Sequence, residues 1–215
     1  MYIKTEYPFY WKLNFVPIFY EGLSEEQLRD QRIVLNFKEG IYDDDTMLWF
    51  RQKVWSLSKG DDYGWAVCFM PCHNSKTQKK RFSKLADYLR KTTRVKVCFP
   101  FSYAEDRLPS HLNGKTEIDI MDIAINLEEI YTNNLILIDD IITTGQLFNQ
   151  TAAQALRMGA DSIRGLFLAK TVHPKLHMKK KNSKKEEDNT ILREEAIIMN
   201  RDCNLSIRKL KKSKE

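Results

Sequence analysis

The residue types and spacing most suited to chemistry occur in the segment NLILIDDIITTGQLFNQ, residues 134–150. An apolar stretch, Leu135–Ile138, ends in two adjacent carboxylates, Asp139 and Asp140. Open parallel sheets bind ligands beyond the carboxyl ends of their strands, where such carboxylates would lie. Two carboxylates would repel an anion that they faced, but they accept hydrogen bonds from sugar hydroxyls or from water on a metal.

A hydroxyl-rich turn, Thr143-Thr144-Gly145, follows the carboxylates and leads into a predicted helix. Backbone N–H groups at a helix N-terminus, joined by threonine hydroxyls, form a cradle for phosphate. Gly145 permits the tight turn that aims these donors inward. The segment therefore predicts a site for a ribose 5-phosphate with Mg²⁺ close by.

The alternative is that the two aspartates only cap a turn and that Thr144-Gly145 only opens a helix. That interpretation would be favoured for an isolated pair of aspartates. The order found here is more specific: an apolar strand, two aspartates, two aliphatic residues, the turn, a helix, and the strand in GADSIRGLFLAK.

The elements that must position this segment follow from the apolar pattern along the chain. We expect an irregular, aromatic-rich segment at 1–30 with a short helix at SEEQLRDQ, and a partly helical segment at MDIAINLEEI. Strands are predicted at Arg32–Phe37, Trp65–Met70, Val95–Phe99, Leu135–Ile138 and Ile163–Ala169, and further helices in DDTMLWFRQKVWSLS, NSKTQKKRFSKLADYLRKTT and QLFNQTAAQALRMGA. Alternating strands and helices predict an α/β fold with a central parallel sheet flanked by helices. The Leu135 strand should lie inside that sheet.

Composition bounds the function classes. The 215 residues suit one main domain, and the pI of about 9.0 comes from the C-terminal region. Residues 1–170 contain 22 basic and 22 acidic residues, whereas residues 171–215 contain 13 and 7. Neither a signal peptide nor a membrane-spanning run is evident, and the four cysteines have no C-x-x-C spacing. These features predict a cytoplasmic protein without disulfides, structural zinc or a membrane partner.

The motif LILIDDIITTGQL resembles the phosphoribosyl-pyrophosphate (PRPP) binding motif of type I phosphoribosyltransferases. The resemblance covers residues 32–172 and is closest to the ComF-like branch, which shares the layout of FMPCHNSKTQKKRFSKLADYL and of LFLAKT. It implies the type I phosphoribosyltransferase fold with a small hood or lid. It also implies a transferase that binds PRPP or a ribose 5-phosphate nucleotide and transfers phosphoribosyl to or from a nitrogen acceptor.

The resemblance also assigns roles to individual residues. Asp139 and Asp140 would bind the ribose hydroxyls, and Mg²⁺ would be held near them through substrate and water. A mobile loop at 102–116 would offer Arg107, His111 and Lys115 to the pyrophosphate. The 5-phosphate would be held by Ile142, Thr143, Thr144, Gly145 and Gln146, and the pyrophosphate by Cys72, His73, Asn74 and Ser75, with Arg81 as a nearby cation.

Two departures from the family pattern keep a second hypothesis open. Leu147 stands where the family usually has a serine or threonine that contacts the phosphate, and no cysteine precedes Cys68, so the zinc module of ComF-like proteins is absent. Cys68, Cys72 and His73 have the wrong spacing for zinc. The alternative function is a non-catalytic PRPP or nucleotide sensor, or a component of a DNA-uptake or DNA-related defence system.

The expected domain organisation is a phosphoribosyltransferase-like domain at 1–172 and a basic extension at 173–215. The extension is a candidate contact for nucleic acid or a protein partner, although its lysines and nearby acids favour a solvated loop, exposed at 178–189. Either the N-terminal segment or residues 173–207 would form the hood. The N-terminal aromatic residues would pack as a lid or form a homodimer contact.

Overall fold

A computed structural model describes residues 7–59, 64–103 and 123–173, which contain twelve elements. In chain order these are β1 (Phe9–Phe15), α1 (Glu25–Lys38), α2 (Asp44–Ser58), β2 (Trp65–Phe69), α3 (Ser75–Thr92), β3 (Lys96–Cys98), β4 (Phe101–Tyr103), β5 (Ile123–Ile125), α4 (Leu127–Ile130), β6 (Asn134–Ile142), α5 (Gln146–Arg157) and β7 (Ser162–Thr171). Phe19–Glu21 belong to a second compact unit.

Among the described residues, five strands form one parallel sheet in the order β1-β7-β6-β2-β3. The strand β6 is third in this order, between β7 and β2, which confirms its predicted interior position. Leu137 of β6 pairs with Cys68 on one side and Gly165 on the other. Every residue of β2 is buried, as expected for a parallel strand covered on both faces.

Helices cover both faces of the sheet. On one face, α1, α2 and α3 contribute Val34, Phe50 and Phe82 to an apolar cluster with β2, β6 and β7. On the other face, α5 contributes Phe148 to a second cluster that includes Leu135 and Leu137. The predicted α/β fold with a central parallel sheet flanked by helices is therefore confirmed.

The prediction of a strand at Arg32–Phe37 is wrong, because these residues form the second half of α1. Ser24 and Gln27 form a reciprocal capping box that starts the helix. Val34 and Phe37 are spaced three apart and both are buried, so the apolar run serves a helix face. The helix predicted at SEEQLRDQ is real but longer than expected.

The prediction of an irregular segment at 1–30 is also wrong for Phe9–Phe15, which form β1. β1 lies at the sheet edge, parallel to β7, with Phe9 opposite Gly165 and Phe15 opposite Thr171. Gln31 of α1 donates a 2.6 Å hydrogen bond to the carbonyl of Val16, which ties the end of this strand to the helical layer. The aromatic residues of β1 therefore belong to the sheet.

The segment after β3 forms a small antiparallel pair, β4 with β5, followed by α4. The expectation that MDIAINLEEI is partly helical holds for Leu127–Ile130, while Ile123–Ile125 is a strand. Within the described ranges, no helix is both long and apolar enough to cross a membrane.

Candidate active site

Asp139 and Asp140 lie near the carboxyl end of the central strand, where the neighbouring strand β2 also ends. β6 continues to Ile142, so the aspartates are the sixth and seventh residues of the strand and not its terminus. The amide of Met70 donates a 2.9 Å hydrogen bond to the carbonyl of Ile138. This contact brings the β2–α3 loop, which begins at Pro71, beside the aspartates.

Each aspartate caps the backbone amide of the residue that follows it. Asp139 Oδ1 accepts from the amide of Asp140 at 2.8 Å, and Asp140 Oδ1 accepts from the amide of Ile141 at 2.7 Å. These bonds hold both carboxyl groups against the strand end. These bonds occupy one oxygen of each side chain.

Two cations face these carboxyl groups. Arg81 Nη1 of α3 lies 2.9 Å from Asp140 Oδ2 and 3.9 Å from Asp139 Oδ1. Lys38 Nζ, in the last residue of α1, lies 3.8 Å from Asp140 Oδ2. Asp140 is the more buried aspartate, with 9% of its side chain exposed against 16% for Asp139. Helices α1 and α3 therefore supply the positive charges that lie beside the two aspartates of β6.

The acid–base properties follow from this packing. Burial, together with the neighbouring Asp140, raises the pKa of Asp139 to about 8, with Arg81 opposing both effects. Burial lowers the pKa of Arg81, but the carboxylates outweigh burial and leave it raised, so the guanidinium stays protonated. Burial also raises the pKa of Cys72 to about 12, with Arg81 opposing, which makes this thiol a poor nucleophile at neutral pH.

The β6–α5 loop brings two threonine hydroxyls to the N-terminus of α5. Gly145 adopts φ 79° and precedes α5, whose N-terminus receives no side-chain hydrogen bond from its capping residue. Thr143 and Thr144 are exposed, and Thr144 Oγ1 accepts from the amide of Gln146 at 3.3 Å. Thr143 Oγ1 lies 3.0 Å from Thr171 Oγ1, a hydroxyl on β7 that sequence reasoning did not include.

The packing of Leu147 accounts for an aliphatic residue at this position. Its side chain is partly buried and packs against the apolar cluster beneath α5. The first turn of this helix is therefore anchored to the sheet by an aliphatic contact at the position where a hydroxyl was expected. Ile142, at the end of β6, is buried in the same cluster and can offer only its backbone to a ligand.

The β2–α3 loop presents a second helix N-terminus at the same end of the sheet, where the strands have their carboxyl ends. Asn74 Oδ1 caps α3 by accepting from the amide of Thr77 at 2.7 Å, and His73 Nε2 lies 3.2 Å from Thr77 Oγ1. Cys72 is buried, whereas Ser75 is exposed as the first residue of the helix. The β2–α3 and β6–α5 loops thus follow the carboxyl ends of two neighbouring strands. Arg81, on α3, contacts the two aspartates.

Sequence reasoning missed Lys38 and Tyr42. Tyr42 is buried in the α1–α2 loop, and burial raises the pKa of its hydroxyl, with the charge of Arg81 opposing. No local motif marks either residue, and Lys38 reaches Asp140 only through the packing of α1. Arg107, His111 and Lys115 lie outside the described residues, as does the extension from residue 174 onwards.

The chain matches no protein-family model and no curated protein, but it resembles solved structures. A hypoxanthine phosphoribosyltransferase from Staphylococcus aureus is 15% identical, with a TM-score of 0.40 over 60% of this chain and 73% of that one. A hypoxanthine phosphoribosyltransferase from Trypanosoma cruzi, in complex with the product IMP, is 13% identical, with a TM-score of 0.39 over 66% and 67%. At these values neither likeness assigns a function to the chain.

Proposed function

We propose that this chain is a phosphoribosyltransferase-like protein that binds PRPP or a ribose 5-phosphate nucleotide at the carboxyl end of β6. One observation carries the proposal. A pair of carboxyl groups on the central strand of a parallel sheet is followed directly by a glycine-turned, hydroxyl-lined loop at the N-terminus of α5. This one short segment would supply acceptors for a sugar and donors for a phosphate.

In the proposed reaction a nitrogen nucleophile displaces pyrophosphate from the ribose. Asp139 and Asp140 would orient the sugar through its hydroxyls, while the amides from Thr143 to Gln146 hold the 5-phosphate. The β2–α3 loop, from Cys72 to Ser75, would receive the pyrophosphate. Catalysis of this kind depends on positioning and on charge stabilisation of the leaving group, and it requires no protein nucleophile. The neutral thiol of Cys72 is compatible with that role.

The donor set offers Mg²⁺ little direct coordination. Mg²⁺ prefers six oxygen ligands, and in the described part of the chain no group of three or more histidine, cysteine or acidic side chains is placed so that it could hold a metal ion. Both Oδ1 atoms of the aspartates accept amide hydrogen bonds. Bound Mg²⁺ would therefore be held by pyrophosphate oxygens and water, and it would neutralise the leaving group.

A nucleotide sensor remains the second candidate, because Leu147 removes one expected phosphate contact and Arg81 already occupies Asp140. In that case the chain would bind PRPP or a nucleotide, and no added base would cause it to release pyrophosphate from PRPP. The division into a domain at 1–172 and a basic extension at 173–215 that contacts protein or nucleic acid belongs to the same proposal.

Isothermal titration with PRPP, ribose 5-phosphate and GMP, with and without Mg²⁺, tests the proposal. The double variant Asp139→Asn/Asp140→Asn should bind ribose phosphates at least about tenfold more weakly, since hydrogen bonds to charged groups contribute ~1.5–3 kcal/mol each.

The matched control is Asp44→Asn/Asp45→Asn, which makes the same substitutions at two adjacent exposed aspartates. It should leave binding unchanged. Equal affinities in the wild type and both double variants, with circular dichroism showing that all are folded, would refute the site.

A further inference from the structure

Arg81 is a resident counter-cation for the two aspartates. It extends from the second turn of α3, and only 17% of its side chain is exposed. Its Nη1 atom contacts both carboxyl groups, at 2.9 Å and 3.9 Å, and Lys38 adds a second positive charge at 3.8 Å from Asp140. Two basic side chains thus face two acidic ones inside the site.

These contacts leave few carboxylate oxygens for a metal. Both Oδ1 atoms accept backbone amides, and Asp140 Oδ2 faces Arg81 and Lys38. Within the described residues, Asp139 Oδ2 is the one oxygen with neither an amide nor a cationic partner. Mg²⁺ binds oxygen ligands at about 2.0–2.1 Å, so it could reach Asp140 only if Arg81 moved away.

A buried donor of the ion pair also lacks a partner. The Nε atom of Arg81 is buried and has no hydrogen-bond partner among the described residues. Asp140 Oδ2 is buried as well and makes no hydrogen bond within them, although Arg81 Nη1 and Lys38 Nζ lie near it. Buried polar groups usually find partners, so a hydroxyl or phosphate oxygen of a ligand would complete Arg81 Nε.

We propose that Arg81, supported by Lys38, takes the place that a divalent cation would hold on the protein side of this site. A ribose phosphate then binds without a divalent cation, with a ribose hydroxyl at Asp139 Oδ2, which no amide or cation of the described residues contacts. The ligand part of this inference, the binding of a ribose phosphate, rests on the proposed function. The competition between Arg81 and a metal does not. Arginine suits this task because its guanidinium keeps its charge and spans two carboxylates with a planar fork.

Mn²⁺ binding to the full-length protein tests the competition without any sugar ligand. The wild type should show no Mn²⁺ site at the aspartates by electron paramagnetic resonance or calorimetry. Arg81→Gln should bind Mn²⁺ at least about tenfold more tightly than the wild type, a difference of about 1.4 kcal/mol. The reason is that no arginine then balances the charge of the carboxyl groups. Asp139→Asn/Asp140→Asn in the Arg81→Gln background should abolish the gain.

Arg90→Gln is the matched control, since Arg90 lies on the same helix, is exposed and pairs with Asp87. It should bind Mn²⁺ no better than the wild type. If Arg81→Gln does not fold, Lys38→Gln should show a smaller gain in the same direction. A wild type that already binds Mn²⁺ through the aspartates, or folded Arg81 and Lys38 variants that gain nothing, would overturn the proposal.

The ligand part is tested with ribose 5-phosphate, titrated in excess Mg²⁺ and in excess EDTA. The wild-type affinity should agree between the two conditions within about twofold, or ~0.4 kcal/mol, while that of Arg81→Gln should depend on Mg²⁺. Wild-type binding that requires Mg²⁺ would overturn this inference and leave the proposed function intact. Absence of binding in both conditions would refute the proposed function, and the Mn²⁺ result would still decide the role of Arg81.

Discussion

At the residue scale, the charges around Asp139 predict how stability depends on pH. The pKa of this carboxyl is raised to about 8 by burial and by Asp140, so the folded protein binds the proton more tightly than the unfolded chain does. Deprotonation therefore costs the folded state free energy, and stability from this group falls as pH rises from about 4 to about 8.

Asp139→Asn should remove that fall, because an amide does not titrate but can still accept from the amide of Asp140. Urea unfolding between pH 4 and 9 should show the variant gaining stability relative to the wild type as pH rises. Asp161→Asn, at an exposed aspartate, should keep the wild-type slope. A slope in Asp139→Asn equal to that of the wild type would contradict the buried, proton-binding carboxyl.

Leu147→Thr tests the phosphate loop. A hydroxyl at this position should tighten ribose-phosphate binding by ~1.5–3 kcal/mol, the value of a hydrogen bond to a charged group. The same change should lower the free energy of unfolding, because Leu147 packs against the apolar cluster. Calorimetry and urea unfolding give the two numbers.

Leu156→Thr is the control for packing alone, since Leu156 packs against the same cluster from the other end of α5. It should lose stability without gaining affinity. If Leu147→Thr binds no better than Leu156→Thr, the loop does not hold a phosphate in the expected way.

At the element scale, the end of α1 determines where Lys38 and Tyr42 lie. Gly40 adopts φ 76°, and the amide of Ile41 donates to the carbonyl of Asn36 at 2.9 Å, so the helix ends in a left-handed glycine cap. A Cβ atom at Gly40 would collide with the backbone carbonyl of Lys80 on α3. The loop therefore packs directly on the helix that carries Arg81.

Gly40→Ala should destabilise the protein by ~2–4 kcal/mol, combining the left-handed backbone with a collision against main-chain atoms. Gly22→Ala is the control, because Gly22 has φ 70° but no atom within 4 Å of the added Cβ. It should cost only about 1–2 kcal/mol. Equal losses in thermal unfolding would mean that the α1–α2 loop does not pack on α3.

The sequence predicts best those elements whose pattern matches their surroundings. β2 and β6 read as continuous apolar runs, and buried parallel strands have that composition. Residues 32–37 were predicted as a strand because Ile33, Val34 and Leu35 also occur often in strands. The capping box that begins α1 lies eight residues earlier, so it does not mark this segment as helical. β1 alternates aromatic or aliphatic residues at Phe9, Trp11, Leu13 and Phe15, a period-two signal that its interspersed charge obscured.

The candidate site divides in the same way. Asp139, Asp140 and Gly145 belong to one local segment, so their order predicts a strand end followed by a helix N-terminus. The pairing of Arg81 with Asp140, and the approach of Lys38, depend on how two helices pack over the sheet. No local pattern encodes those distances, and sequence reasoning had placed Arg81 beside the pyrophosphate.

At the scale of the whole molecule, one sheet carries a core on each face and should couple the two cores. Leu85→Ala removes a buried side chain from the α3 face, and Leu137→Ala removes one from the α5 face. Each should cost ~2–5 kcal/mol and shift one common unfolding transition.

The exposed residue Leu48, which is 40% accessible, provides the comparison. Leu48→Ala should change stability by no more than about 0.5 kcal/mol. Urea unfolding followed by both tryptophan fluorescence and circular dichroism measures all three variants. Two separate transitions, each sensitive to only one of the core variants, would show that the faces unfold independently.

The central claim is that β6 and the following loop form a ribose-phosphate site, and a crystal structure of the protein with bound GMP tests it most directly. The phosphate should meet the amides from Thr143 to Gln146 at the N-terminus of α5, while the ribose hydroxyls face Asp139 and Asp140. A nucleotide bound elsewhere, or one that leaves this loop and both aspartates without a ligand contact at saturating concentration, would contradict the account.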